Sequence, residues 1–267
     1  VGADQDRVRV DAVRTLVESG VDWPCDLIRV YADNNLGCAR RVSSGLDQVF
    51  SVDDRAIILE DDCVPDLTFF RFCEDLLEHY RDEPTISQVG GVNFGAFRSP
   101  QGYYFSRYNH VWGWATWRRA WNAFDYAMGD WPEVRETSWL RDHLGSRATA
   151  GYWSRVFDSV LSGEVESWAY RWVYAAWRRD WLTVLPGVNL VENIGFDLQA
   201  TNTKRRIGLL SRKAESIGFP LRHPVGINRN DAADRFSELR IYSGGGLKRF
   251  RKWAGRSIRS VLKVGAR

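Results

Sequence analysis

The chain has 267 residues, of which 44% are hydrophobic and 27% are charged, and its formal net charge is +3. This length suffices for one large core or two small ones, and the composition is ordinary for a soluble globular protein. No run of 18 apolar residues occurs, which excludes a transmembrane helix. The polar start predicts no signal peptide, the four cysteines without a CxxC pair predict reduced thiols in the cytoplasm, and we expect no nucleic-acid partner.

Strand-like and helix-like segments alternate in the first third of the chain. Helical spacing of apolar residues predicts helices over 8–19, 38–50 and 66–80, while alternation predicts a strand at Cys25–Tyr31. The wholly apolar segment Ala56–Leu59 predicts a strand buried on both faces. Together these patterns predict an α/β protein with a mostly parallel, doubly wound central sheet flanked by helices.

The middle of the chain is less regular and rich in tryptophan. We expect strands at 86–93, 103–105, 110–114 and 182–185, and helices at 117–126, 132–147, 151–161 and 167–179. Of the 13 tryptophans, 11 fall between Trp112 and Trp181. Most of these are expected in an aromatic core, and two or three are expected to line a sugar site, because a flat ring covers the apolar face of a pyranose.

Three consecutive carboxylates, Glu60, Asp61 and Asp62, follow the strand at Ala56–Leu59. Ligands bind beyond the carboxyl ends of strands in open α/β sheets, so these residues stand where chemistry is expected. Adjacent carboxylates repel one another, and a hard cation such as Mg²⁺ or Mn²⁺ relieves this repulsion. The alternative is an acidic loop fully exposed to solvent.

The segment Ile57–Asp62, followed by Val64–Asp66 and Phe69–Phe70, resembles the metal-binding motif of nucleotide-sugar glycosyltransferases with the GT-A (Rossmann-like) fold. The group that includes N-acetylglucosaminyltransferase I and its bacterial, family-2-like relatives is the most similar. The resemblance covers roughly the first 205 residues, in the expected order. It also implies that roughly 40–50 residues at the start of such a domain are missing, including part of the nucleotide pocket.

The resemblance implies a role for each matching residue around a Mn²⁺ or Mg²⁺ ion. Asp62 would be the direct metal ligand with Asp61 in support, and Glu60 would face the ribose or an ordered metal water. Arg40 and Arg41 would contact the diphosphate or the base, although two solvated arginines are an equal alternative.

Further residues would shape the sugar and acceptor pocket. Trp112, Gly113 and Trp114 match a Gly-Trp element of that pocket, with tight core packing as the alternative, and Trp168 is a further candidate for it.

The general base is where the chain departs from the family pattern. Ala169 stands where the resemblance leads us to expect an aspartate beside a tryptophan. Glu166 is the preferred substitute, Glu164 is also close enough to substitute, and Asp130 is a further candidate. Asn202 likewise stands where many relatives carry a histidine as an extra metal ligand, and asparagine is a poor ligand for transition metals.

These features predict a metal-dependent enzyme that transfers a sugar from a nucleotide diphosphate donor, with UDP expected, to a hydroxyl acceptor with inversion. The acceptor would be a carbohydrate or lipid-linked. One alternative is a nucleotide-sugar- or carbohydrate-binding protein of the same fold without turnover. A metal-dependent phosphohydrolase is disfavoured because it needs a second set of His and Asp ligands.

Three regions are expected along the chain. Residues 1–205 would form the glycosyltransferase domain, 206–243 an irregular extension, and 244–267 a basic amphipathic tail beginning at a glycine hinge. The tail would lie on an anionic membrane surface at the inner face, or instead be a docking helix or a disordered tail.

Overall fold

The backbone has a mixed α/β architecture, seen in a computed structural model that describes residues 2–95, 97–195, 210 and 212–242. Helices α1 to α9 span Gly2–Gly20, Cys38–Val52, Thr68–His79, Arg118–Trp121, Trp131–Val134, Trp139–Leu144, Arg147–Leu161, Trp168–Arg178 and Asp231–Phe236. Strands β1 to β7 span Arg55–Ile58, Cys63–Pro65, Ile86–Gly90, Tyr103–Ser106, Trp114–Trp117, Leu182–Pro186 and Val191–Asn193. A π-helical stretch, Ser237–Tyr242, follows α9 directly.

The main sheet has five strands in the order β1-β5-β3-β6-β4, and β2 pairs with β7 in a separate two-stranded sheet. Among the described strands, β3 and β6 are the one parallel pair, whereas β1–β5, β3–β5, β4–β6 and β2–β7 are antiparallel. The expected mostly parallel, Rossmann-like sheet is therefore wrong, and the protein has a mostly antiparallel mixed sheet.

The connections between strands explain the difference. β1, β3 and β6 all run in one direction, and helices separate them along the chain, as a parallel connection requires. β4 and β5 both run the other way, and β5 inserts between β1 and β3. Because β5 is antiparallel to both neighbours, its first residue Trp114 lies level with Ile58 and Gly90, at the carboxyl ends of β1 and β3.

Three strand predictions also need correction. The strand predicted at 110–114 lies instead at Trp114–Trp117, and residues 110–113 form no strand. β1 lies at one end of the strand order and is only half-buried at Ala56, Ile57 and Ile58, so it is not a strand buried on both faces. Cys25–Tyr31 forms no strand, and Ile28 is 78% exposed. No described segment pairs with its backbone, and alternation alone cannot hold a strand without a partner.

Helices predicted from apolar spacing are confirmed where they pack on the sheet. The buried face of α2 carries Ala39, Ser43, Leu46 and Phe50, and α3 buries Phe69, Phe72, Cys73, Leu76 and Leu77. In the middle of the chain the predicted helix at 117–126 shortens to α4, and 132–147 divides into α5 and α6.

The described part of the expected extension packs on the same sheet. Ile217 joins the core around α3, and the backbone N–H of Asn230 donates to the Phe105 carbonyl at 2.8 Å. Segment 212–242 therefore contributes to the same hydrophobic core as β3, β4 and β6. The predicted tail, 244–267, lies outside the described residues. No helix in the described part of the chain is long and apolar enough to cross a membrane.

Candidate functional site

The three carboxylates form the tight turn between β1 and β2. The Cys63 N–H donates to the Glu60 carbonyl at 3.0 Å and closes this turn. Asp61 is exposed, while Glu60 and Asp62 are half-buried. Burial, followed by the charges of Asp62 and Asp61, raises the pKa of Glu60 to about 7. Burial and the two neighbouring negative charges therefore disfavour the ionisation of Glu60 at neutral pH.

Glu166 lies beside the segment that precedes α2. Its carboxylate packs against Gly37, where a methyl group built on the glycine would overlap Oε1 and stand 2.8 Å from Cδ. Gly37 has a φ of 74° and immediately precedes α2. Only glycine adopts that backbone conformation without strain while also leaving room for the Glu166 carboxylate.

The pKa of the thiol of Cys38, the first residue of α2, is affected by Glu166 and by all three carboxylates of the turn. Desolvation raises its pKa most, and the charges of Glu60, Glu166, Asp61 and Asp62 raise it further, to about 11. An effect of this kind requires the four carboxylates to lie near one thiol. Folding thus places Glu166 and the acidic turn around the same thiol at the start of α2.

Two helices begin beside the Glu166 carboxylate. α2 starts at Cys38, and α8 starts at Trp168, directly after the N-cap Ser167, whose Oγ accepts from the Tyr170 N–H at 3.3 Å. Gly37 provides no side-chain cap for α2. Helix N-termini carry partial positive charge and free N–H groups, so this side of the site suits anionic groups.

The two arginines of α2 have different surroundings. The Arg41 guanidinium donates to the Val30 carbonyl, so it fastens the segment before α2. Arg40 is exposed, and no ion pair joins it to a carboxylate within the described residues. Desolvation by burial lowers the pKa of Arg171, Tyr126 and Asp125 oppose this shift, and the Arg40 charge adds a smaller lowering effect. Arg40 therefore remains free to meet an anion at the start of α2, and Arg41 is already engaged.

The Gly-Trp element lies at the same edge of the sheet as the acidic turn. Gly113 has a φ of 64°, and a methyl group built on it would stand 2.6 Å from Val191 and 3.3 Å from Leu59. Its carbonyl accepts from the Gly91 N–H at 2.7 Å. The glycine therefore permits a close approach of β5 to β7 beside the site.

The tryptophans around this glycine divide between core and surface. Trp114 is 0% exposed and stacks on Trp168, which is 3% exposed, with ring centroids 5.4 Å apart. Both rings are core residues beneath the site, without a free face for a sugar. Trp112 is half-buried and meets Phe94 edge-on, with ring centroids 5.2 Å apart.

Asp130 has partners of its own. Its carboxylate accepts from the Tyr174 hydroxyl at 2.6 Å and from the Arg178 guanidinium at 2.8 Å. Asp130 is also not among the carboxylates whose charge raises the Cys38 pKa. The structure therefore gives Asp130 a place in an ion pair on α5 and α8, and leaves Glu166 as the carboxylate beside the acidic turn.

Gly37 and Cys38 are site residues that the sequence reasoning did not single out. The signal for Gly37 was present, because Asn35-Leu36-Gly37 is a turn sequence, and the Asn35 side chain accepts the Gly37 N–H at 2.9 Å. The presence of Glu166 opposite this turn could not be read from the local sequence. The predicted residue Asn202 lies outside the described part of the chain.

The carboxylates of the turn suit a hard divalent cation held by one or two protein ligands better than a metal site built from three or more protein side chains. In the described residues, no group of three or more His, Cys, Asp or Glu side chains is arranged to hold a metal ion. The turn instead offers hard oxygen donors with an excess of negative charge. This suits Mg²⁺ or Mn²⁺, which accept one or two carboxylates and take their other ligands from phosphates and water.

No protein-family model matches this chain, and the curated proteins include none similar enough in sequence to count as a relative.

Proposed function

We propose that this chain is a metal-dependent glycosyltransferase that moves a sugar from a UDP-linked donor to a hydroxyl acceptor with inversion. The gathering of Glu166 with Glu60, Asp61 and Asp62 around the start of α2 supports this proposal most directly. A sugar transfer needs a group that neutralises the leaving diphosphate and a base for the acceptor, and this arrangement offers both in one place.

The donor would lie with its diphosphate between the acidic turn and the start of α2. Asp62, with Asp61, would hold Mn²⁺ or Mg²⁺, and the bound ion would neutralise charge on the leaving diphosphate. The free N–H groups of α2 and the exposed Arg40 would bind phosphate oxygens. Glu60 would contact the ribose or a water molecule.

Glu166 would accept the proton of the acceptor hydroxyl as its oxygen attacks the anomeric carbon. The bond from that carbon to the diphosphate breaks, UDP leaves with the bonding electrons, and the configuration inverts in this single displacement. The half-buried Trp112 would contact the sugar or acceptor. The acceptor would be a carbohydrate or lipid-linked molecule at the cytoplasmic side of a membrane, and nucleic acid would not be a partner.

The test combines calorimetric titration of UDP with Mn²⁺ and a transfer assay with a panel of UDP-sugars. Asp62→Ala should abolish metal-dependent UDP binding. Glu166→Gln should retain UDP binding and lower transfer by about 10² to 10⁴, the range that general bases contribute. Glu164→Gln is the matched control, because Glu164 is exposed and bonds Ser159 at 3.0 Å.

Each other outcome has a definite meaning. UDP binding without transfer would favour the nucleotide-sugar-binding protein without turnover, a reading that Ala169 also supports. Transfer unchanged by Glu166→Gln would remove Glu166 as the base. Absence of any metal-dependent nucleotide binding would refute the proposed donor site.

A further inference from the structure

The same three-residue turn, Asn-x-Gly, occurs twice at the candidate site, and each time a carboxylate packs against its glycine. In Asn35-Leu36-Gly37 the Asn35 Oδ1 accepts the Gly37 N–H at 2.9 Å, and Glu166 lies on the glycine. In Asn193-Ile194-Gly195 the Asn193 Oδ1 accepts the Gly195 N–H at 2.9 Å, and Asp62 lies on the glycine.

The second turn is joined to the acidic turn by its backbone. Cys63 pairs with Asn193 in the two-stranded sheet, and the Ile194 N–H donates to the Asp62 carbonyl at 2.8 Å. A methyl group built on Gly195 would overlap the Asp62 carboxylate oxygen Oδ2, and would stand 3.0 Å from Asp62 Cβ and 3.1 Å from Cγ. The Asp62 side chain thus occupies the space that any other residue at 195 would fill.

We propose that Gly195 is a positioning residue that sets where the Asp62 carboxylate lies, and thereby the affinity of the site for a divalent cation. This inference rests on the proposed function, because it takes Asp62 as the metal ligand. The hydrogen bonds of the Gly195 and Ile194 N–H groups hold the Gly195 backbone against Asp62. Because Gly195 has no side chain, the Asp62 carboxylate can lie directly against its Cα. Metal coordination tolerates errors of only about 0.2 Å, so a displaced carboxylate weakens binding.

Gly195 also allows a clean substitution. Its φ lies in the range that other residues adopt, unlike the φ of Gly37, so alanine at 195 adds only the methyl group. Gly218→Ala is the matched control, because Gly218 is also exposed, lies outside helices and strands, and has nothing within 4 Å of a built methyl group.

The experiment measures Mn²⁺ affinity by electron paramagnetic resonance of the free ion, with saturating UDP, for four proteins: wild type, Gly195→Ala, Gly218→Ala and Asp62→Ala. Gly195→Ala should bind Mn²⁺ about 10- to 100-fold more weakly, the usual effect of disturbing a residue that orients a ligand. Its Tm without metal should equal that of wild type. Gly218→Ala should match wild type throughout.

The failures are distinguishable. If wild type binds Mn²⁺ and Asp62→Ala does not, but Gly195→Ala binds as wild type does, the role of Gly195 is refuted while the metal site stands. If Gly195→Ala and Gly218→Ala weaken Mn²⁺ binding equally, the effect is not positional and the inference also fails. If wild type and Asp62→Ala bind Mn²⁺ equally or not at all, the proposed metal site itself is wrong.

Discussion

At the scale of single residues, the pKa of Cys38 depends on the negative charge of the candidate site. Its raised pKa, about 11, has desolvation as its largest cause and the four nearby carboxylates as the others. Because the thiolate is the nucleophile, a thiol with this pKa reacts slowly with alkylating reagents at pH 8. Any loss of negative charge around it lowers the pKa and increases the thiolate fraction.

We therefore predict that Glu166→Gln accelerates the alkylation of Cys38 by iodoacetamide at pH 8. Removal of one of the four negative charges moves the midpoint of the rate–pH profile below that of wild type. Peptide mass spectrometry follows Cys38 separately from the other three cysteines. Glu164→Gln should leave the rate unchanged, and equal rates for both variants would mean that Glu166 is not near the thiol.

At the scale of elements, one buried ion-pair group fastens α9 to β4. Asp234 accepts from the Ser106 hydroxyl at 2.6 Å and pairs with the Arg107 and Arg229 guanidinium groups, each at 3.3 Å. The Arg107 and Asp234 side chains are only 8% and 3% exposed. Burial raises the pKa of Asp234, although Ser106 and both arginines oppose the shift.

Asp234→Ala should lower the free energy of unfolding by about 3–5 kcal/mol, because it leaves the Arg107 charge buried without a partner. Asp231→Ala is the control in the same helix. Asp231 is exposed and pairs with Arg229 at the surface, so its loss should destabilise the fold far less. Urea denaturation monitored by tryptophan fluorescence measures both, and equal effects would show that α9 is not held through Asp234.

At the scale of the whole molecule, buried neutral histidines make the fold sensitive to acid. Burial lowers the pKa of His110 to about 3, and burial followed by the Arg107 charge lowers that of His143 to about 4. In the unfolded chain both return to the ordinary value near 6.5. Below that pH the unfolded chain binds more protons than the folded chain, so stability is present above about pH 6.5 and is lost as the pH falls.

We expect the free energy of unfolding to fall by about 1.4 kcal/mol per pH unit for each of these histidines between about pH 6 and 4. Urea denaturation at pH 7.5, 6 and 5 measures this slope. His110→Gln removes one titrating group, so its slope should be smaller than that of wild type even though the variant is less stable at every pH. A slope parallel to that of wild type would contradict the assignment to His110.

The sequence by itself determined the features whose causes are local. Apolar spacing located α1, α2, α3 and α8, because a helix is specified by residues three and four positions apart. The acidic turn at Glu60–Asp62 was recognisable because three carboxylates directly follow a short apolar strand. The prediction of Glu166 as base came from the family resemblance and from its closeness in the chain to Ala169, and it stays a prediction.

Only the tertiary structure decided the features that depend on distant partners. Strand direction follows from which backbones pair, so the insertion of β5 between β1 and β3, and the lack of a strand at Cys25–Tyr31, could not be read from alternation. Trp114 and Trp168 are likewise buried only because α2 and α8 pack against the main sheet. Gly37 and Gly195 matter through the Glu166 and Asp62 carboxylates that lie on them, and such contacts exist only once remote segments have packed together.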